Sequence, residues 1–592
     1  FRMFRPTSIL SSIVLIAGAT ILLQASGADA VIVCGSDTDG TTYNVGPSQT
    51  YTKIGDVPLD TLQPGDWVCI YPATYHEKFV VNLAGSATQP IVISGVPDET
   101  TGDLPIINGE NAITPTYLNY WNEVRNLIKI GGATYPSGPA SHIRIQNLRL
   151  QNAHLSHAFS DDNGNVQSYG KNAACLHIES GSHIDLVGNE IMGCGNGIFI
   201  TPGVTDVNIE ANYIWGNGNV NSIHEHNVYT EALRISYKYN RFGTLCSGCS
   251  GNNLKDRSAG LLVAYNFIEG GNRQLDLVDS STSSIIEDPS YKVTHVYGNI
   301  FVEPDGEGNR QIVHYGGDSG NEANYRNGHL YFYHNSILST RVGKTTLVRL
   351  SSEDCTMNAT NNIIKATETV FGNNFELLSE KRGALYMNSN WITDGYIYWV
   401  TPTGGGSIFE TGNILESTTG SIFSDPNFHT SPYDLHLSNS LLIGSTLEQE
   451  AQPISHEYVM HTSGQTRSSM DLGAYGYLNS QTSEPTRAPT TKPVTPFPTQ
   501  EPVPTFAPTL FPTPHCIGNS CNNNNQCCDG TVCNGHGNSK TCQSSGLPPS
   551  PSLPSSSPPS TVCGGSDSDC TSNSQCCSEN CKTHGAKANK CS

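Results

Sequence analysis

Residues 183–219 read HIDLVGNEIMGCGNGIFITPGVTDVNIEANYIWGNGN. Within them, HIDLV and DVNIE alternate apolar and polar positions, the period-two signature of short strands. Each run leads into an Asn that is followed within two residues by Ile: Asn189 before Glu-Ile, Asn212 before Tyr-Ile. An Asn followed within two residues by an apolar side chain recurs at Asn240, Asn266, Asn299, Asn335, Asn362, Asn390 and Asn413. Counted from Asn189, the gaps are 23, 28, 26, 33, 36, 27, 28 and 23 residues. Helical periodicity is hard to find between the marks. A repeat of this size with several short strands is what one coil of a parallel β-helix requires. A single coil cannot bury its inward face, so coils stack, about 4.8 Å apart at ordinary strand spacing. The recurring Asn is expected to be structural, its amide hydrogen-bonding along the coil axis as a ladder. Unequal gaps then correspond to loops bulging from the corners.

Composition agrees with an all-β chain. Of 592 residues only 14% are charged, 58 are Gly, and the formal charge is −21. So acidic a chain is a poor partner for nucleic acid or an anionic membrane. Residues 1–30 read as a secretory signal: Arg2 and Arg5 precede ILSSIVLIAGATILL, and ASGADA offers a small-residue cleavage site after Ala30. That apolar run is short for a membrane span, and no other segment is long and apolar enough for one. The expected organisation is a repeat body over 31–480, a Pro/Thr-rich linker over 481–515, a cysteine module over 516–542, a Pro/Ser-rich linker over 543–562 and a second cysteine module over 563–592.

The chain has 19 cysteines, which suits an oxidising, extracellular or cell-wall location. Module one carries Cys516, Cys521, Cys527, Cys528, Cys533 and Cys542; module two carries Cys563, Cys570, Cys576, Cys577, Cys581 and Cys591. Units this small depend on disulfides, and six cysteines permit 15 pairings. Their C…C…CC…C…C order resembles knottin-like domains, and cell-wall anchoring through this tail is one expectation. In the body, spacing suggests Cys34 with Cys69, Cys175 with Cys194 and Cys246 with Cys249, leaving Cys355 over. Asn358-Ala-Thr is a legal glycosylation site.

Against its acidic background the chain gathers cations in HEHNVYTEALRISYKYNRFGTLCSGCSGNNLKDRSAG, residues 224–260. Lys255 and Arg257 are two apart and share a strand face, with Asp256 on the other. His224 and His226 share a face too, as do Arg234 and Lys238. Stacked coils would bring the 224–240 segment beside the 252–266 segment and make one basic groove. Such a groove suits an acidic polysaccharide. A uronan lyase neutralises the C6 carboxylate with Arg or Ca²⁺, takes the C5 proton, and helps O4 leave. Lys255 is the expected base, Arg257 or Arg273 the expected neutraliser, and His224, His226, Tyr229, Arg234 and Lys238 the expected substrate-binding groove. Glu231 and Glu269 are the candidates for a Ca²⁺ ion. The plain alternative leaves Lys255 and Arg257 on an outer face, paired with Asp276 and Asp279. The CxxC at Cys246 and Cys249 with the nearby histidines has the residue types of a zinc site; a loop disulfide fits an exported chain better.

LQPGDWVCIYPATYHEKFVV (62–81), GSATQPIVISG (85–95) and IINGENA (106–112) resemble the opening coils of secreted right-handed parallel β-helix proteins of the pectin-lyase-like kind. FSDPNFHTSPYDLHLSNSLLIGST (423–446) and DLGAYGY (471–477) resemble their closing coils. The resemblance, over roughly residues 35–477, implies a single-stranded right-handed parallel β-helix. Lys255, with Arg273 18 residues on, resembles the Lys and Arg of the chondroitinase B and alginate lyase family of β-helical polysaccharide lyases. That family's Asn/Glu/Glu calcium arrangement is not matched, and the pectate-lyase RxPxxR motif is absent. The implied function is β-elimination of an acidic extracellular polysaccharide. A non-catalytic wall or adhesion protein is the alternative, and a β-helical glycoside hydrolase comes third because the NTD, DD and GHG signatures are missing.

Overall fold

The computed structural model describes residues 34–35, 39–306, 308–367, 375–379, 382–398, 406–441 and 451–477, together with four short strands in the C-terminal region. The expected signal segment, the Pro/Thr-rich linker, the second linker beyond Ser544 and the cysteine pairing of both modules lie outside these residues. The chain divides into two units, Phe1–Ser483 and Glu484–Ser592. In the second, Thr531–Asn534 pairs antiparallel with Thr541–Ser544, and Cys581–Lys582 with Lys590–Cys591.

The first unit is a right-handed parallel β-helix. In one coil, Val228–Thr230, Leu233–Lys238 and Arg241–Phe242 follow one another along three sides. The next coil repeats them as Leu254–Asp256, Ala259–Ala264 and Phe267–Glu269, and the one after as Leu275–Leu277, Val293–Tyr297 and Ile300–Glu303. We refer to the three sides as the front, middle and back sheets. Register is kept from coil to coil: Tyr229 pairs with Lys255 and Lys255 with Asp276, while on the back Arg241 pairs with Phe267 and Phe267 with Ile300. The back sheet has 12 strands. Front and middle belong to one 21-stranded sheet, because Ala174–Val187 and Asn196–Glu210 run through the corner between them.

Inward positions form apolar columns. Val228, Leu254, Leu275, Val313 and Val348 stack on the front; Phe242, Ile268, Phe301, Ile337 and Ile364 stack on the back. All ten are buried, and each such side chain contributes about 1.5–3 kcal/mol relative to exposure. The repeat therefore needs an apolar residue only at every second strand position, which is the alternation seen in the sequence.

The nine marked asparagines form one ladder at the corner from middle to back sheet. From Asn189 to Asn413 each Nδ2 donates to the Oδ1 of the next, at 2.9–3.2 Å. The same Oδ1 also accepts the preceding Asn's backbone N–H. The residue before each rung lies in the left-handed region, and most are not glycine: Ala211, Tyr239, Tyr265, His334, Asn361 and Ser389 have φ between 52° and 57°. A non-glycine residue there costs about 1–2 kcal/mol, which the buried amide hydrogen bonds offset. Disulfides join Cys34 to Cys69, Cys175 to Cys194 and Cys246 to Cys249, and Cys355 is buried and free.

Candidate active site

The register lines up outward side chains on the front sheet, one per coil: Lys129, His177, Phe199, Tyr229, Lys255, Asp276, His314 and Arg349. At about 4.8 Å per step, long polar side chains reach their neighbours directly. A cleft of about 700 Å³ opens over the middle of this column. Tyr229, Lys255 and Asp276 form its floor, Phe199 and Lys171 lie toward one end, and the bend 223–226 joins Asn252, Arg257, Arg273 and Asp318 around it. Four cations, Lys171, Lys255, Arg257 and Arg273, thus face three carboxylates, Glu225, Asp276 and Asp318. The concentration of cations read in the sequence is a cleft with its own counter-charges.

Lys255 Nζ donates to Asp276 Oδ2 at 2.7 Å and to Asp318 Oδ2 at 2.6 Å. Arg257 Nη2 donates to the other Asp318 oxygen at 2.9 Å, and its Nε donates to the Tyr229 hydroxyl oxygen at 3.1 Å. One carboxylate is therefore gripped jointly by Lys255 and Arg257. Asp276 is 2% exposed and also accepts from Asn252 Nδ2 at 2.8 Å and from His314 Nδ1 at 2.7 Å, with Arg273 Nη1 at 3.5 Å. Burial works against its charge, but His314, Lys255 and Arg273 together hold the carboxyl well below the usual carboxylate range. Asp318 is lowered as well: burial opposes the shift, and Lys255 and Arg257 outweigh it. Burial also opposes the Arg257 charge, and Tyr229 and Asp318 more than restore it.

His226 is buried on the cleft wall, where Nδ1 accepts the backbone N–H of Asn252 at 2.8 Å. That bond leaves the ring proton on Nε2. Burial first, and then Lys255, pull this imidazole down to about 3, so the ring is neutral at ordinary pH. His314 is lowered by burial against the pull of Asp276; its Nδ1–H faces that carboxylate and Nε2 takes the Ser351 hydroxyl at 2.7 Å.

Beneath the column, Asp256 points inward, as strand parity requires. Its carboxylate accepts from Thr230 and Ser258, both at 2.8 Å, and from Arg326 Nη2 at 2.9 Å, and both members of that ion pair are fully buried. A second, shorter asparagine run, Asn217–Asn227–Asn253, ties the corner before the front sheet at 3.0 and 2.8 Å. These contacts fix where Lys255 and Arg257 leave the strand.

Of the residues singled out in the sequence, His224, His226, Tyr229, Lys255, Arg257 and Arg273 all line the cleft. Arg234 and Lys238 do not. The chain turns a corner after Thr230, so both stand on the middle sheet, where Arg234 pairs with Asp206 at 2.6 Å and Lys238 lies in register between Glu210 and Ala264. Placing the whole 224–240 segment along one groove missed that corner. Glu231 and Glu269 fail to converge for a related reason. Glu231 follows the front strand and accepts from Ser280, whereas Glu269 ends a back-sheet strand beside Tyr433. The two thus stand on different sides of the coil, and among the described residues no group of three His, Cys, Asp or Glu side chains is placed to hold a metal. As the plain alternative expected, Lys255 pairs with Asp276, and Arg257 lies 3.8 Å from an Asp279 carboxylate oxygen and donates to the Asp279 backbone carbonyl; Asp279 also accepts the Asp318 backbone N–H at 2.8 Å. Sequence reading missed Asp318. It lies 63 residues from Lys255, in YGGDSGN, with no strand parity to place it.

Fold and site together define a right-handed parallel β-helix with an ionisable cleft on its front sheet. No protein-family model matches the chain, and no curated protein matches it. Similar solved structures include an alginate lyase from a Paenibacillus species, at 12% identity over 60% of this chain and 94% of that one, with a TM-score of 0.36. A lacto-N-biosidase from Eubacterium ramulus matches at 13% identity, 63% and 67% coverage and a TM-score of 0.35. A pectin methylesterase from Aspergillus niger matches at 12%, 65% and 88%, with a TM-score of 0.22. Likenesses this distant carry no argument about chemistry.

Proposed function

We propose that the cleft binds an acidic extracellular polysaccharide and cleaves it by β-elimination. The observation that supports this most is the joint grip of Lys255 and Arg257 on one carboxylate, since a uronate presents the same group. Withdrawing charge from the C6 carboxylate makes the C5 proton removable. Sequence analysis assigns Lys255 the base's role. Its ammonium instead donates to two carboxylates, and a nitrogen so engaged serves better to bind a carboxylate than to take a proton.

The base in this reading is Tyr229, one coil from Lys255 and in register with it. Its oxygen accepts from Arg257 Nε at 3.1 Å, which points that oxygen into the cleft beside the two cations that grip the carboxylate. The phenolate takes the C5 proton, the C5 electron pair forms the C4–C5 double bond, and the C4–O4 bond breaks. Tyr229 then returns the proton to O4, so no water is consumed. Neutral His226, with its proton on Nε2, is a hydrogen-bond donor on the same wall. A retaining or inverting hydrolase needs one carboxyl that is protonated to serve as acid. Asp276 and Asp318 are both held ionised, so neither of these two can serve as that acid.

The test is the full chain with a panel of acidic polysaccharides, followed by the ultraviolet absorbance of unsaturated uronate ends. Tyr229→Phe should abolish turnover while keeping binding, and Arg257→Ala should weaken binding. Wild-type turnover by Tyr229→Phe would remove the proposed base. Glycan binding by the wild type without turnover on any member of the panel would replace the enzyme with an adhesion protein.

A further inference from the structure

The two carboxylates on Lys255 differ in how they are held. Asp276 is almost wholly buried, with four donors around it, and could not leave without stranding the Nδ1–H of His314 and the amide of Asn252. Asp318 has a side chain 32% exposed and, among the described residues, its carboxylate is held by Lys255 and Arg257. It stands on a turn bordered by Gly316 and Gly320, whose φ values of 123° and 80° suit glycine. Its backbone N–H is anchored on Asp279, so the turn has a fixed base and a side chain directed over the cleft.

We infer that Asp318 fills the carboxylate subsite of this cleft, and that an anionic sugar binds by taking its place between Lys255 and Arg257. This rests on the acidic-polysaccharide reading of the cleft and adds to it the residue that sets affinity and selectivity. A uronate carboxylate restores the hydrogen bonds that Asp318 gives up, and Asp318 rotates into water. A neutral sugar that pushed Asp318 aside would leave Lys255 with Asp276 alone and Arg257 without its nearest carboxylate, with nothing in exchange, so it binds with Asp318 in place. Asp318 therefore lowers affinity for carboxylate-bearing ligands, which must displace it, more than for neutral ones, which need not.

The experiment compares the full chain with Asp318→Ala and Asp318→Asn, each first checked for an unchanged melting transition. The simplest probe is acetate, followed by calorimetric titration. Asp318→Ala should bind acetate saturably where the wild type does not, Asp318→Asn should fall between, and adding Arg257→Gln to Asp318→Ala should remove the binding. Titration with a galacturonate hexamer should show Asp318→Ala binding about tenfold tighter than wild type, the value of one charge-assisted contact, with cellohexaose gaining less than the uronate. Acetate bound equally by wild type and Asp318→Ala, or by neither, overturns the inference. An equal gain for cellohexaose and the uronate overturns the selectivity. Acetate binding in Asp318→Ala without any response to the hexamer keeps Asp318 as the occupant of a carboxylate site and counts against a uronate polymer as its natural ligand.

Discussion

Arg326→Met would test whether the buried ion pair under the front sheet sets the geometry of the cleft above it. Arg326 donates through Nε to Val278 O at 3.0 Å, through Nη1 to Ser258 O at 2.9 Å, and through Nη2 to Asp256 O at 3.1 Å and Asp256 Oδ1 at 2.9 Å. Methionine fills much of the volume and supplies none of these donors. Asp256 would then be a fully buried carboxylate without its cation, supported only by Thr230 and Ser258. Losing one partner of such a pair costs about 3–5 kcal/mol. Because Asp256 sits between Lys255 and Arg257, the same change should loosen both outward side chains, and misplacement by about 1 Å is enough for a hundredfold loss of turnover. Hydrogen exchange at the amides of Leu254–Asp256, read alongside the urea midpoint, would report the local and global effects separately. The double variant Arg326→Met with Asp256→Leu should be more stable than the sum of the two single losses by about 1 kcal/mol or more, because no unpaired charge remains. A loss under about 1 kcal/mol for Arg326→Met, or strict additivity in the double variant, would refute the reasoning.

Acidification should destabilise the protein before its carboxylates titrate. His177, His226 and His334 are each lowered to about 3, chiefly by burial. Below the ordinary histidine value of about 6.5 the unfolded chain takes up these protons and the folded chain does not, so stability is full above that pH and falls toward 3, on the order of 2 kcal/mol per histidine by pH 5. Melting temperatures from pH 8 to 4 would show this as a slope, His334→Asn should flatten it, and a level profile between pH 7 and 5 would contradict it. The depressed carboxylates Asp276 and Asp318 act lower, their contribution present above about pH 4 and lost as pH falls beneath it. Asn299→Ala removes donors to Val263 O, Tyr297 O and Asn335 Oδ1 and the acceptor for both Asn266 groups. It should cost about 3 kcal/mol in urea unfolding, whereas an exposed Asn substitution should stay near neutral.

The ladder shows why so much of the fold was legible. Each rung repeats the same local sequence, and a corner that recurs about every coil is visible as a period even where loops stretch the gap to 36 residues. Parity along a strand was equally legible: Lys255 and Arg257 face the cleft while Asp256 faces inward, as alternation demands. The corner between Thr230 and Leu233 was not. It lies within a run of strand-forming residues without a Gly or Pro to mark it, so Arg234 and Lys238 were read onto the wrong side.

From the sequence alone came the parallel β-helix, its asparagine ladder, the three body disulfide pairs and the face shared by Lys255 and Arg257. These follow from short-range rules, a period of two within a strand and one coil between neighbours. Only the tertiary structure decided what meets Lys255. Asp276 and Asp318 come from 21 and 63 residues downstream. Their positions depend on the summed lengths of intervening coils and on a turn that folds back over the sheet, and no local pattern encodes either quantity.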